Sequence, residues 1–278
     1  MVKNATGKEE NINNRKETKL FSCVWVVQMF NCCGAVVLWS FCSCTDVVIS
    51  RFPLVPSKFL MHYGFAIEKN REEDGKCMNE MPLVFGLETF HDDDEESAEL
   101  HTRRLSHVSS RMTLRVKMHC DDDNTSEALS FCRVAVANQM ELDEIDSRGY
   151  SGDTIIGPIC PRNEIAALAY FASICRERLK KYPTSLEHDL FRLEEEKDLE
   201  PFSNERNALI VIKSEKEILN FFIRLSQIVT PIFCLPIDDA IRTVQKEYSD
   251  ESMRSNDTAR YLRQVVYDLQ GNMDVSGY

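Results

Sequence analysis

Residues 163–189, NEIAALAYFASICRERLKKYPTSLEHD, carry the clearest structural signal in the chain. Ile165, Leu168, Ala172, Cys175, Leu179 and Tyr182 recur at spacings of three and four, which draws one apolar stripe along a helix. Asn163 is read as the N-cap, with Glu164 in the first turn, where a carboxylate meets the positive end of the helix dipole. Pro183 stops the helix. Thr184-x-x-Glu187 reads as a capping box that opens the next one, in which Leu186, Leu190 and Leu193 share a face. A helix with one dry stripe needs a partner to cover it. The stretch therefore predicts a bundle in which the stripes around Cys175, Leu190 and Leu262 meet and shut out water.

Working outward, the same period continues toward the C-terminus. Ser203 is placed to cap a helix over residues 204–229, and Pro231 and Pro236 then break the chain. Ile237, Ile241, Val244 and Tyr248 mark another helix. Thr258, Leu262, Val265 and Leu269 mark the last, which Gly271 is placed to end. On the other side, residues 127–141 read as one helix followed by a Gly- and Asp-rich loop at 147–153. Further upstream the period falls to two: Leu83, Phe85 and Leu87 alternate, as do residues 111–117, so two short strands are expected. Residues 91–99 read as an acidic loop and 121–124 as a second acidic turn. The expected organisation is a polar, disordered N-terminus (1–19), an apolar segment (20–56), a short helix and strand (57–90), an acidic linker with one strand (91–125) and a helical domain (126–278). The fold class is mainly α, a C-terminal helical bundle behind a small β-containing part.

Residues 21–44 contain no charged side chain, and that length suits a transmembrane helix of roughly 20 residues, with Arg15, Lys16 and Lys19 before it. Gln28, Asn31 and several valines dilute the signal. A membrane anchor, a pair of buried strands and a stretch outside any folded domain all remain open. The net charge of −12 argues against a nucleic-acid backbone as the main partner and suits a basic protein surface. Eleven irregularly spaced cysteines, none in a C-x-x-C pair, read as reduced thiols of the cytosol, the nucleus or an organelle matrix. Neither common phosphate-binding glycine motif is present, and no H-E-x-x-H. The acidic run at Asp121 fails as a calcium loop, because Ser126 and Cys132 stand where Gly and Glu are needed. Cys32, Cys33, Cys42 and Cys44 match no zinc spacing, so no metal is expected. His62 beside Tyr63 is read as a surface or packing histidine.

Two stretches resemble the SET-domain methyltransferases related to the Rubisco large-subunit enzyme. Ser57-Lys58-Phe59-Leu60-Met61-His62-Tyr63-Gly64-Phe65, followed by Asn70, is similar to the segment that closes the family's SET domain. Asn163-Glu164, Tyr182-Pro183-Thr184-Ser185-Leu186-Glu187-His188-Asp189, Arg206-Asn207-Ala208 and Ser214-Glu215-Lys216-Glu217-Ile218-Leu219 are similar to its substrate-binding domain. The resemblance implies a helical substrate-binding lobe behind a remnant of a SET domain at 57–90. It also implies S-adenosylmethionine as methyl donor and a protein lysine as acceptor. By the same resemblance Tyr63 and Phe65 line the lysine channel, and Arg178, Tyr182, Glu187, Arg206, Glu215 and Lys216 hold the helices of the lobe together through caps and ion pairs. The chain departs from the family where the cofactor binds. No Asn-His dipeptide occurs, and Phe52-Pro53-Leu54-Val55-Pro56 replaces the Tyr-Gly expected before the closing helix. Too few residues precede Ser57 for a whole SET domain. The expectation is a truncated family member that retains its protein-binding lobe and is inactive or severely impaired in methyl transfer. A non-catalytic interaction module and a protein anchored through residues 21–44 are the alternatives.

Overall fold

The computed structural model describes residues 25–26, 37–40, 47–48, 56–68, 70–71, 76–87, 95–149, 154–195, 199–200, 203–248 and 256–276. The chain divides into two compact units, residues 1–53 and 54–278. In the first, β1 (Trp25–Val26), β2 (Val37–Ser40) and β3 (Val47–Val48) pair antiparallel in chain order, with Trp25 opposite Ser40 and Val37 opposite Val48. The described residues of the uncharged run are thus strands, and the rest of that run lies outside the described residues, as does the polar stretch 1–19. Among the described residues no helix is long and apolar enough to cross a membrane.

The second unit begins with α1 (Pro56–Tyr63) and continues through Gly64, whose φ of +78° turns the chain out of the helix. Then come β4 (Glu80–Gly86), α2 (Glu95–His107) and β5 (Arg111–Lys117). The strands pair antiparallel with Leu83 opposite Leu114. The period-two expectation holds: Met81, Leu83 and Phe85 are buried while Pro82 and Val84 face out. Residues 95–107 differ from expectation, because the supposed acidic loop gives way to α2. Arg104 and His107 lie in its last turn, where basic side chains suit the negative end of a helix dipole.

Helices then follow without interruption by strand: α3 (Asp123–Ala135), α4 (Gln139–Ser147), α5 (Pro161–Leu179), α6 (Leu186–Glu195), α7 (Asn204–Phe233), α8 (Ile237–Glu247) and α9 (Asp257–Ser276). Several expected boundaries move. The single helix over 127–141 is two, because Asn138 caps α4 in a capping box: its Oδ1 accepts from Glu141 N at 3.0 Å, and its own N–H donates to Glu141 Oε2 at 2.9 Å. Asn163 does not cap α5; Cys160 does, with Pro161 in the first turn, and Asn163 is fully buried. The cap of α6 is shifted by one, since Ser185 Oγ accepts from His188 N, while Thr184 Oγ1 donates to Asp189. Ser203 caps α7 as expected, accepting from Arg206 N at 3.2 Å. That helix passes through Pro231 to Phe233, although the proline removes the ladder donor to the carbonyl four residues back. Likewise α9 runs past Gly271 to Ser276.

The core sits where the inner face of β4–β5 meets α3, α5 and α7. Phe85 lies edge-on to Phe171 at 5.1 Å between ring centroids, and Phe171 stacks on Phe222 at 4.1 Å. Cys175 and Leu262 both join this cluster, as their stripes predict. Leu190 does not. It is half-buried, and its neighbour Leu193 packs into a separate cluster with Ala66, Leu199, Leu209 and Ile210. The six cysteines among the described residues are free thiols. Burial raises the pKa of Cys120, Cys132 and Cys175, and burial followed by the Glu164 charge raises that of Tyr261. An acid raised by folding ionises first in the unfolded chain. Its contribution to stability is therefore whole below the ordinary cysteine and tyrosine values and is lost as pH climbs past them. Urea midpoints measured from about pH 8 to about pH 11 are expected to fall steadily. A flat profile would contradict the burial of these groups.

Candidate functional site

Three polar networks shape the lobe. The first ties the segment after α1 to α7. Asn207, only 1% exposed, accepts from Ala66 N at 3.0 Å and donates from Nδ2 to the Gly64 carbonyl at 3.2 Å. Next to it Arg206 donates to Glu68 Oε2 and to the Leu193 carbonyl, each at 3.1 Å. Of the two residues expected to line a channel, Phe65 is buried within this clamp, while the Tyr63 backbone ends α1 and its side chain lies outside the described residues, as does that of His62. Asn207→Ala leaves the buried Ala66 N–H without its acceptor and takes the donor from the Gly64 carbonyl. It is expected to cost about 1–3 kcal/mol and to speed amide exchange at Ala66 while α5 keeps its protection. Unchanged exchange at Ala66 would refute the clamp.

The second network joins the α5–α6 corner to α7. Lys216 Nζ donates to the Thr184 carbonyl at 2.7 Å, to Thr184 Oγ1 at 2.8 Å and to Asp189 Oδ2. Tyr182 donates to Glu215 Oε2 at 2.5 Å, and Arg178 and Lys216 lie 5.6 Å and 5.2 Å from the Tyr182 ring centre. The Tyr-Pro-Thr-Ser corner is thus held from below by the Glu-Lys pair on α7. Glu187, by contrast, sits exposed in the first turn of α6.

The third network is the deepest. Arg133 makes a two-pronged bond to Glu164, Nε to Oε2 at 2.8 Å and Nη2 to Oε1 at 2.9 Å, and donates from Nη1 to the Ile156 carbonyl at 2.8 Å. The Tyr261 hydroxyl on α9 donates to the same carboxylate. Desolvation alone would lower the Arg133 pKa, but Glu164 outweighs it and the net direction is upward. Beside this triad Glu141 gathers Arg162, Asn163 and the Cys160 thiol at 2.6, 3.1 and 3.2 Å. Burial, with Glu141 close by, raises the Cys160 thiol, so it is a poor nucleophile at neutral pH. None of these residues was identified by sequence reasoning as a partner of another.

Among the described residues, one cavity of about 470 Å³ is walled by α4, the 159–162 turn, Ile237 and Leu269. Another, about 590 Å³, lies between α2, β5, α3 and Ile155. Among the described residues no three His, Cys, Asp or Glu side chains could hold a metal ion. Arg133 with Glu164, and Lys216 with Asp189, are buried as bonded pairs. Fold and site together define a helical lobe packed on a two-stranded sheet.

Residues 95–219 match the family described as Rubisco LSMT substrate-binding. The match begins at the first residue of α2 and ends inside α7. Among solved structures, a Rubisco LSMT bound to AdoMet is similar at 17% identity, with a TM-score of 0.44, over 68% of this chain and 42% of that one. The SET domain of LSMT bound to lysine and AdoHcy is similar at 17% identity, with a TM-score of 0.45, over 70% of this chain and 43% of that one. The chain therefore spans less than half the length of either. No curated protein matches it.

Proposed function

We propose that the helical lobe holds a protein substrate for SET-type lysine methylation, and that the described residues bind rather than catalyse. The observation that carries this reading is the family match over residues 95–219, whose buried side chains lie in the main core and in the two smaller clusters beside it. The methyl donor used in that family, S-adenosylmethionine, does not fit the residues described. Both polar backbone groups of the Gly64–Ala66 segment that bond Asn207 are taken, Phe65 is buried, and the buried carboxylates of Glu141, Glu164 and Asp189 are tied to other protein groups. No step of methyl transfer is therefore assigned to them. The compartment we propose is cytoplasm or nucleus, in keeping with the free thiols.

The test uses the full 278-residue chain, immobilised, with extract of the cells that make it and tritiated S-adenosylmethionine. Discrete proteins are expected to be retained saturably, and not by urea-unfolded chain, with no tritium passing to them. Transfer of tritium would overturn the non-catalytic part of the proposal. Failure to retain any discrete protein would overturn the substrate-binding part.

A further inference from the structure

We propose that the cavity between α2, β5, α3 and Ile155 docks a basic, partly apolar segment of the protein partner, with one Lys or Arg side chain entering it. This deepens the substrate-binding reading and rests on it. The cavity, about 590 Å³, falls in the range that side-chain-sized and larger ligands fill. All of its lining residues lie inside the stretch that matches the substrate-binding family. Val108, Met112 and Phe131 give it an apolar base, and Phe131 is itself 1% exposed. Leu105 and Ile155 stand at the rim 41% and 45% exposed, two of the eight large apolar side chains exposed among the described residues.

The charge on the wall selects the occupant. Asp123 and Glu127 lie one turn apart on α3, both exposed, and neither has a cationic partner among the described residues. Like charges at that spacing repel one another. The amino end of α3 relieves Asp123, but its influence fades within the first turn, so Glu127 gains little from it. A cation placed between the two carboxylates relieves both. Lys and Arg meet the whole cavity: an aliphatic stem lies on the apolar base while the charged head reaches the acidic wall. Three other polar side chains of the lining are engaged elsewhere: His107 sits 2.9 Å from Asp146, Ser130 Oγ accepts from Ile156 N, and Ser106 donates to the Arg103 carbonyl. The net charge of −12 steers a basic segment in and a second copy of this chain away.

The test measures fluorescence anisotropy of a fluorescein-labelled, capped peptide, Leu-Lys-Gly-Leu-Lys-Gly, and of its counterpart with Glu in place of each Lys, against the full chain. The Lys peptide is expected to bind saturably and more weakly as salt rises; the Glu peptide is not. Asp123→Asn with Glu127→Gln changes no buried group and is expected to weaken binding on the order of tenfold. Ile155→Arg, which puts a cation at the mouth, is expected to abolish it. Thermal unfolding confirms that each variant is folded. No binding of the Lys peptide, equal binding of both peptides, or indifference to both variants would overturn the proposal. If the immobilised chain still retains its protein partner in that case, only the cavity is refuted and the substrate-binding lobe stands. Self-association as the chain's only response would also overturn the proposal.

Discussion

Glu164→Ala is expected to lower folding stability by about 3–5 kcal/mol, a large part of the roughly 5–15 kcal/mol that a natural domain possesses. The size follows from what is left behind. Arg133 keeps its bond to the Ile156 carbonyl but loses both contacts to a carboxylate, and its side chain is only 6% exposed. Arginine cannot shed its proton to escape, so the charge stays buried without a counter-ion. The Tyr261 hydroxyl on α9 is stranded at the same time. Three elements, α3, α5 and α9, therefore loosen together, and the effect should reach amides in all three. Replacing Arg133 with Met and Glu164 with Leu together is expected to recover much of the loss, because the pair's attraction is largely offset by its desolvation. Urea unfolding of the single and double variants checks both statements. A Glu164→Ala loss below about 1 kcal/mol would mean that the triad is hydrated, since that is the range of exposed pairs. Glu177–Lys180, with both side chains about two-thirds exposed or more, is the internal control at 2.5 Å and is expected to contribute little.

Which features could be read from the sequence depends on the range of the interaction. Stripes at three-and-four spacing report the helix's own geometry, so α5, α8 and α9 and the burial of Cys175, Val244 and Leu262 were visible. So was the alternation that buries Leu83 and Phe85. The Ser203 cap was visible too, because its partner lies three residues away. Errors arose where a distant residue decides. Asn163 has the right chemistry for a cap, yet it is drawn inward by the Arg133 carbonyl and Glu141, 30 and 22 residues back. Glu164 resembles any acidic first-turn residue until Arg133 and Tyr261 converge on it. Pro231 and Gly271 weaken a helix locally, but α7 and α9 continue because tertiary packing outweighs the local penalty. Leu190 shares a face with Leu193, but α6 packs on α7 at the edge of the main core rather than within it. The Asn207 clamp left no local signal, its partners being 141 and 143 residues distant. The family resemblance brought Asn207 into view, but as part of a motif, without a role.

Lys216→Ala is expected to cost a further large amount when made alone, again about 3–5 kcal/mol. Lys216 and Asp189 are each only 1% exposed at the side chain, so removing the ammonium leaves a carboxylate in the interior. The Thr184 carbonyl and Oγ1 lose their donor as well. Thr184 cannot compensate, because its hydroxyl already donates to Asp189 Oδ1 at 2.7 Å. The ring of bonds Lys216, Thr184, Asp189 fixes the corner between α5 and α6 against α7, so its loss should free that corner before the core unfolds. Hydrogen exchange should therefore rise at His188 and Asp189 in Lys216→Ala while amides of Phe171 and Phe222 hold. Lys216→Met separates charge from bulk: it keeps most of the stem against Tyr182 but strands the same carboxylate, and its loss should approach that of the alanine variant. Adding Asp189→Asn to Lys216→Met should then restore part of the stability, since two residues in one network do not add. Strict additivity, with Asp189→Asn worsening Lys216→Met by its full separate effect, would show that the two side chains do not share a buried pair. It would also remove the reason to regard the Tyr182–Asp189 corner as fixed against α7.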